Sequence, residues 1–289
     1  MKPFLGIDLT ENKKNEQFNG EEFLVARPSA VMAKDFEKTS EKAEKTVERA
    51  KLPLAVRIVQ WVCGFAGLLV VTMICRVLGG EDGLSLKEVY QNAPWLFWLA
   101  GGCLLIWGVL AAVSAGIAKK VLSSEESAQV FSEIDDACDS IFTALSVPKD
   151  AGDVDILSFF YKEKEGEIKV CEKALQSAPY FNPVFKLYAD SEKLYLANLE
   201  GKYAFPLSSV RAIQTVKKRI VISGWNKEES FKEGIYKPYK LTADDSDCIH
   251  CKSYYILELD CGGEEWGIYF PCYELPAFEA VTGLKAQEE

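Results

Sequence analysis

The chain has 289 residues, 48% of them hydrophobic and 26% charged, with 43 acids against 33 bases and a formal net charge of −10. That length accommodates one or two domains and enough apolar mass for a core. After residue 122 the balance is 18 bases against 30 acids, which argues against broad binding to nucleic acid or anionic membrane, since both need cationic charge.

Residues 1–33 read as a flexible head, because periodicity is weak from Thr10 onward. Within it, Phe4-Leu-Gly-Ile-Asp8-Leu-Thr10 reads as a local strand; a phosphate loop would need glycines after the aspartate. The apolar stretch 4–9 is too short for a signal sequence, and Glu11, Lys13 and Lys14 follow at once. Residues 34–53 alternate Lys and Glu around Phe36, Ala43, Val47, Ala50 and Leu54, which predicts a charged juxtamembrane helix. Glu41 precedes Lys45 in the favourable i,i+4 order.

Two apolar runs follow. In the first, residues 54–78, the centre from Ile58 to Cys75 carries no charge; the second, Ala93 to Ala118, has no Asp, Glu, Lys, Arg or His. A helix needs about 20 such residues to cross about 30 Å of hydrocarbon. Both runs suffice, so transmembrane helices are expected at 54–78 and 94–118, joined by an external loop over 79–93. Arg57 and Arg76 lie about one turn from the ends of the first span, where their side chains snorkel to the headgroups.

Lys34, Lys38, Lys42, Lys45, Arg49 and Lys51 precede the spans, Lys119 and Lys120 follow them, and the loop has only Lys87. By the positive-inside rule this predicts a multi-pass plasma-membrane protein with both termini cytoplasmic. Tyr90, Trp95 and Trp98 suit the outer interface. Gly108, Ala112 and Gly116 share one face of the second span, as Cys63 and Gly67 do in the first. Such faces serve close packing of the hairpin on itself or of a homodimer. A pore or transporter is not expected, since no chain of acids or histidines lines either span.

Residues 123–147 carry Val130, Phe131, Ile134, Cys138, Ile141, Phe142 and Leu145 on one face and Glu133, Asp135, Asp136 and Asp139 on the other. This predicts an amphipathic helix that packs on the following domain or on its own copy, ended by Pro148. From Val154 the period changes to two. Phe185, Leu187 and Ala189 lead through a turn at Asp190-Ser-Glu-Lys193 to Leu194 and Leu196, a hairpin. A second hairpin turning at Gly262-Gly263 sets Tyr255 opposite Phe270, Leu257 opposite Ile268 and Leu259 opposite Trp266. Pro276 then opens a short helix with Phe278, Val281 and Leu284 on one side, closing at Gly283. The fold class is α+β: a two-helix transmembrane hairpin plus a cytoplasmic, antiparallel, strongly bent sheet capped by a C-terminal helix.

The stretches Phe185-Lys-Leu-Tyr-Ala-Asp-Ser-Glu-Lys-Leu-Tyr-Leu, Tyr203-Ala-Phe-Pro-Leu-Ser-Ser-Val210 and Tyr254 to Leu284 carry a resemblance. Over residues 150–285 the sequence resembles the bacterial pleckstrin-homology-like domains, including those behind a two-helix membrane hairpin. The segment Trp225 to Cys251 departs from that pattern and reads as an insertion or long loop. The resemblance implies a PH-like barrel acting as a ligand- or partner-binding platform, with no catalytic residues to carry over. A non-enzymatic scaffold or regulatory protein is therefore the leading expectation.

Arg211, Lys217, Lys218, Arg219, Lys227, Lys232, Lys237 and Lys240, with Trp225 among interleaved aromatics, form one cationic stretch in an acidic domain. It reads as a solvated loop or as a surface for anionic lipid or an acidic partner. The nine cysteines, in a cytoplasmic setting, are not expected to form structural disulfides. Cys248, His250, Cys251 and Cys272 are the candidate zinc ligands of an alternative reading, a cysteine-based zinc or redox sensor or enzyme centred on Cys248–Cys251. Cys261 is excluded from that set, since the hairpin register puts it about 27 Å from Cys272, whereas Cys251 and Cys272 share a face and approach diagonally. The sequence contains no Ser/His/Asp triad, Walker loop or helical metal motif.

Overall fold

The computed structural model describes residues 1–8, 17–18, 20–79, 85–164, 167–171, 183–223, 239, 241–243 and 248–287. It is an α+β structure of two units, Lys34–Cys138 and the combination of Met1–Ala33 with Asp139–Glu289.

The helices are α1 (Ala30–Arg49), α2 (Leu54–Leu78), α3 (Leu86–Asn92), α4 (Pro94–Leu122) and α5 (Glu125–Ala144). α2 and α4 are long and apolar enough to cross a membrane, each with a mean hydropathy of 2.2 over its most apolar window. Only 11% and 6% of those windows are buried, whereas a soluble core helix would hide most of them. Trp61 and Trp98 are 73% and 75% exposed, so the outward faces stay greasy. Pro53 precedes α2 as its N-cap and Pro94 opens α4, a position where the missing N–H costs nothing. Within the expected loop, Ser85 and Glu88 form a reciprocal capping box that starts α3.

α2 packs on α4 through glycines. A Cβ on Gly64 would fall 2.6 Å from Cδ1 of Trp107, and one on Gly67 would fall 2.9 Å from the Leu104 side chain. The helices therefore approach where the first has no side chain. Gly108 and Gly116 lie elsewhere on α4 and face open space. Outside the apolar pair, Lys42 bridges Glu133 at 3.0 Å and Arg49 bridges Glu126 at 3.2 Å. Seven residues forward on α1 match seven residues back on α5, so these two run antiparallel. Ala43 and Thr46 are buried on α1 and Ala50 just beyond its end, a narrow seam of small side chains.

The second unit begins with strands from the N-terminal segment, β1 (Lys2–Pro3), β2 (Gly6–Asp8), β3 (Gln17–Phe18) and β4 (Leu24–Ala26). Then come β5 (Gly152–Asp155), β6 (Phe159–Lys164), β7 (Glu167–Val170), β8 (Val184–Ala189), β9 (Lys193–Ala197), β10 (Lys202–Pro206), β11 (Val210–Val216) and β12 (Ile220–Ser223). The chain finishes through β13 (Thr242–Ala243), β14 (Cys248–Cys251), β15 (Tyr254–Cys261), β16 (Glu264–Pro271), α6 (Leu275–Thr282) and β17 (Ala286–Gln287).

One five-stranded sheet has the order β4-β10-β9-β8-β5 and is antiparallel throughout. The other, β1-β16-β15-β11-β17, has an antiparallel centre with parallel strands at both edges. Two smaller sheets, β12-β14-β13 and β3-β2-β6-β7, complete the described strands. Among the described residues the sheets remain separate and no barrel closes.

The hairpin register holds residue for residue. Tyr255 faces Phe270, Leu257 faces Ile268 and Leu259 faces Trp266. Gly262 and Gly263 both take positive φ, 67° and 88°, as a two-residue turn matched to the strand twist requires. The β8–β9 turn forms because Asp190 Oδ1 accepts the N–H groups of Glu192 and Lys193, each at 2.8 Å. α6 ends at Gly283 with φ 70°, and its Phe278 ring stacks on Phe270 at 3.9 Å between centroids.

The described parts of residues 1–33 correct the expectation of a flexible head. Phe4 is fully buried and meets Tyr203 and Phe205 edge-on, both at 5.2 Å. Gly20 has φ 63°, and a Cβ there would strike the Phe4 ring. Residues 9–16 and 19 lie outside the described residues, so part of the expected Phe4–Thr10 strand is not described; of the rest, Gly6–Asp8 form β2 and Phe4 and Leu5 make the bend before it. A second departure concerns Trp225 to Cys251, whose end is a strand, β14, paired with β12. Together they cover the far side of the β15–β16 hairpin, so Tyr254, Ile256 and Tyr269 join Phe159, Ile220, Ile222 and Ile249 in a second core.

Candidate functional site

Alternation along β14 decides where its chemistry lies. Cys251 pairs with Ile220 and Ile249 with Ile222, and all four point into the second core. Cys248 and His250, at odd spacing from Cys251, take the opposite face. Among the described residues, no group of three or more His, Cys, Asp or Glu side chains is placed to hold a metal ion. The strand thus separates Cys248 and His250 from Cys251 and Cys272. Nδ1 of His250 instead lies 2.9 Å from a guanidinium nitrogen of Arg219. Arginine can only donate, so Nδ1 is the acceptor and the proton sits on Nε2.

Cys251 and Cys272 enter the same core. Both are buried, 0% and 2% exposed. The Cys251 thiol, together with backbone N–H groups at the turn leading into α6, holds the Cys272 thiol below its ordinary range. The Cys272 thiol in turn raises Cys251, with burial adding to it.

Beside the thiols lies a buried carboxyl clasp. Tyr273 Oη donates to Asp155 Oδ2 at 2.5 Å, and the Asp155 N–H donates to Glu274 Oε1 at 3.1 Å. Burial first, then the Asp155 charge, pushes the Tyr273 phenol well above its usual range. The clasp joins the end of β5 to the turn between β16 and α6. No motif in the sequence announces it; Tyr273-Glu274 beside Cys272 was its only trace.

The cationic stretch is divided. Arg211, near the start of β11, is bound to Asp260 at 2.5 Å. Lys217, Lys218 and Arg219 follow the end of β11 and are exposed. Six extended residues, about 20 Å, separate Arg211 from Lys217. Trp225 and Lys227 lie outside the described residues. Near Arg211 a pocket of about 100 Å³ is lined also by Met1, Glu258, Leu259, Asp260 and Glu265. Burial, then the charge of Glu265, raises the Glu258 carboxyl. Comparison with protein-family models, curated proteins and solved structures finds no match.

Proposed function

We propose that this chain is an integral membrane protein that presents a PH-like binding module to the cytoplasm, as a scaffold or regulator without catalysis of its own. The observation that carries this reading is that the segments on either side of the apolar helix pair belong to one folded unit. Two flanks that fold together must share a compartment, and an even number of crossings puts them there. The lysines and arginines before α2 and after α4 then favour the cytoplasm.

The PH-like part rests on strand order. β5, β8, β9 and β10 are antiparallel neighbours in one sheet, β11, β15 and β16 in another, and α6 closes the end with Phe278 in the core. Several antiparallel strands followed by one closing helix are what the resemblance implies. Strands β1, β4 and β17 are additions at the sheet edges. Lys217, Lys218 and Arg219 offer a surface to anionic lipid headgroups or an acidic partner. The uncovered face of Gly108, Ala112 and Gly116 suits a second copy of the hairpin.

Alkaline carbonate washing of membranes that contain the full chain tests the proposal. The protein stays in the pellet and leaves only with detergent. Recovery in the wash, without detergent, removes the membrane reading.

A further inference from the structure

We propose that α3 is an interfacial foot, lying along the outer leaflet with Leu86 and Tyr90 at the boundary between lipid headgroups and acyl chains. This surface presupposes the two spans proposed above and extends their lipid contact to a third helix. At about 100° per residue, Val89, Leu86 and Tyr90 fill one arc of about 100° around α3. Lys87, Gln91, Glu88 and Asn92 fill the remainder. The helix therefore has one apolar side and one polar side.

The chain itself uses only part of the apolar side. Val89 is buried, and α3 packs on both α2 and α4. Tyr90 meets the Phe97 ring of α4 edge-on, with 5.4 Å between centroids. Leu86 and the rest of Tyr90 stay open, 60% and 47% exposed. Trp95 and Trp98, the sequence neighbours of Phe97, are exposed as well. Through the Tyr90–Phe97 contact, the open side of α3 adjoins the apolar surface that α4 turns outward.

Lipid is the occupant that this placement selects. Ala93 alone separates α3 from α4, so the helix is held at the mouth of the hairpin, where the apolar surface of the spans ends. Tyrosine and tryptophan are the side chains that settle at headgroup level. Lys87 and Glu88 cancel, so α3 has no net charge with which to recruit a charged macromolecule, and burial of apolar surface is the attraction. Seven residues are too few for a helix to persist alone in water. The Ser85–Glu88 box, the burial of Val89 and the leaflet hold it together.

The test uses the full chain in phosphatidylcholine vesicles containing a phospholipid with a diazirine on its acyl chain, close to the glycerol. Illumination inserts the carbene into neighbouring side chains, and mass spectrometry maps the adducts. Leu86 and Tyr90 should carry severalfold more lipid adduct than Lys87 and Gln91. A water-soluble diazirine, present on both sides of the vesicles, should give the reverse order. Phe65 and Leu68, exposed near the middle of α2, report the spans separately. Lipid adducts there but none on Leu86 and Tyr90 overturn the role of α3 and leave the membrane reading standing. Lipid adducts at neither place overturn both.

Discussion

Phe23 packs edge-on against Trp266, with ring centroids 4.9 Å apart, although both apolar helices lie between them in the sequence. Phe23 also meets Phe205 at 4.6 Å, and Phe4 completes the aromatic cluster from the same segment. A hydrophobic core that needs rings from both sides of the hairpin cannot form from the C-terminal part alone. Phe4→Ala should therefore cost about 3–5 kcal/mol, because it empties a fully buried ring site. Phe131→Ala, at a helix surface, should cost well under about 1 kcal/mol. Denaturant unfolding of the full chain in micelles measures both, and equal effects would count against the bipartite core.

The same relationship makes a prediction about fragments. Residues 139–289 alone should bind ANS and lack a cooperative thermal transition, having lost Phe4, Leu5 and Phe23. A synthetic peptide of residues 1–33 should restore the transition. A fragment that melts cooperatively by itself, unchanged by the peptide, would contradict the account.

Gly64 and Gly108 should respond differently to the same substitution. Gly64→Ala pushes a methyl group into Trp107 and should destabilise the helix pair by about 1–3 kcal/mol. Gly108→Ala meets nothing within the chain and should leave hairpin stability unchanged. If it instead reduces crosslinking between copies, the open face is a dimer contact. Unfolding in micelles and crosslinking in intact membranes separate the two positions.

The Tyr195–Asp190 pair predicts a pH effect. Tyr195 Oη donates to Asp190 Oδ2 at 2.8 Å, and this bond pushes the phenol up to about 12. The folded state thus holds that proton more tightly than the unfolded chain does. Its stabilising contribution is full below about pH 10, the ordinary tyrosine value, and is lost as pH rises toward 12. Asp190 behaves in the opposite sense. The Glu192 backbone N–H, then the Tyr195 phenol, holds its carboxyl below the usual range, so its contribution is present above about pH 4 and lost as pH falls. In an ultraviolet tyrosinate titration, Asp190→Asn should move the Tyr195 phenol down from about 12, and Tyr188, raised mainly by burial and then by the Asp190 charge, by less. An unchanged titration curve would show the bond is not made in solution.

Much of this fold was legible, and the exceptions have physical reasons. The β15–β16 register follows from alternation, because Leu257, Leu259, Trp266 and Ile268 can share one face in only one pairing. The span limits follow from charge, with α2 beginning and ending where the apolar run does, although α4 continues through Lys119 and Lys120 to Leu122. Phe4 and Phe23 left no signal, since a bend between two short strands and a single 3-10 turn carry no period and their burial comes from distant partners. The pairing of α1 with α5 was equally hidden, because the charges of Lys42 and Glu133 say nothing about which helix each will face. At the thiol site, Cys251 and Cys272 are both buried in the second core. The Asp155–Tyr273–Glu274 clasp depended on the unforeseen approach of β5 to the turn before α6.

Protease digestion of sealed vesicles of both orientations tests the central claim most directly. In inside-out vesicles, residues 1–33 and 139–289 should be cleaved together, and in right-side-out vesicles both should survive until detergent is added. Cleavage of one segment without the other, or of either from the outside, would contradict a single unit assembled on the cytoplasmic face from both flanks of the hairpin.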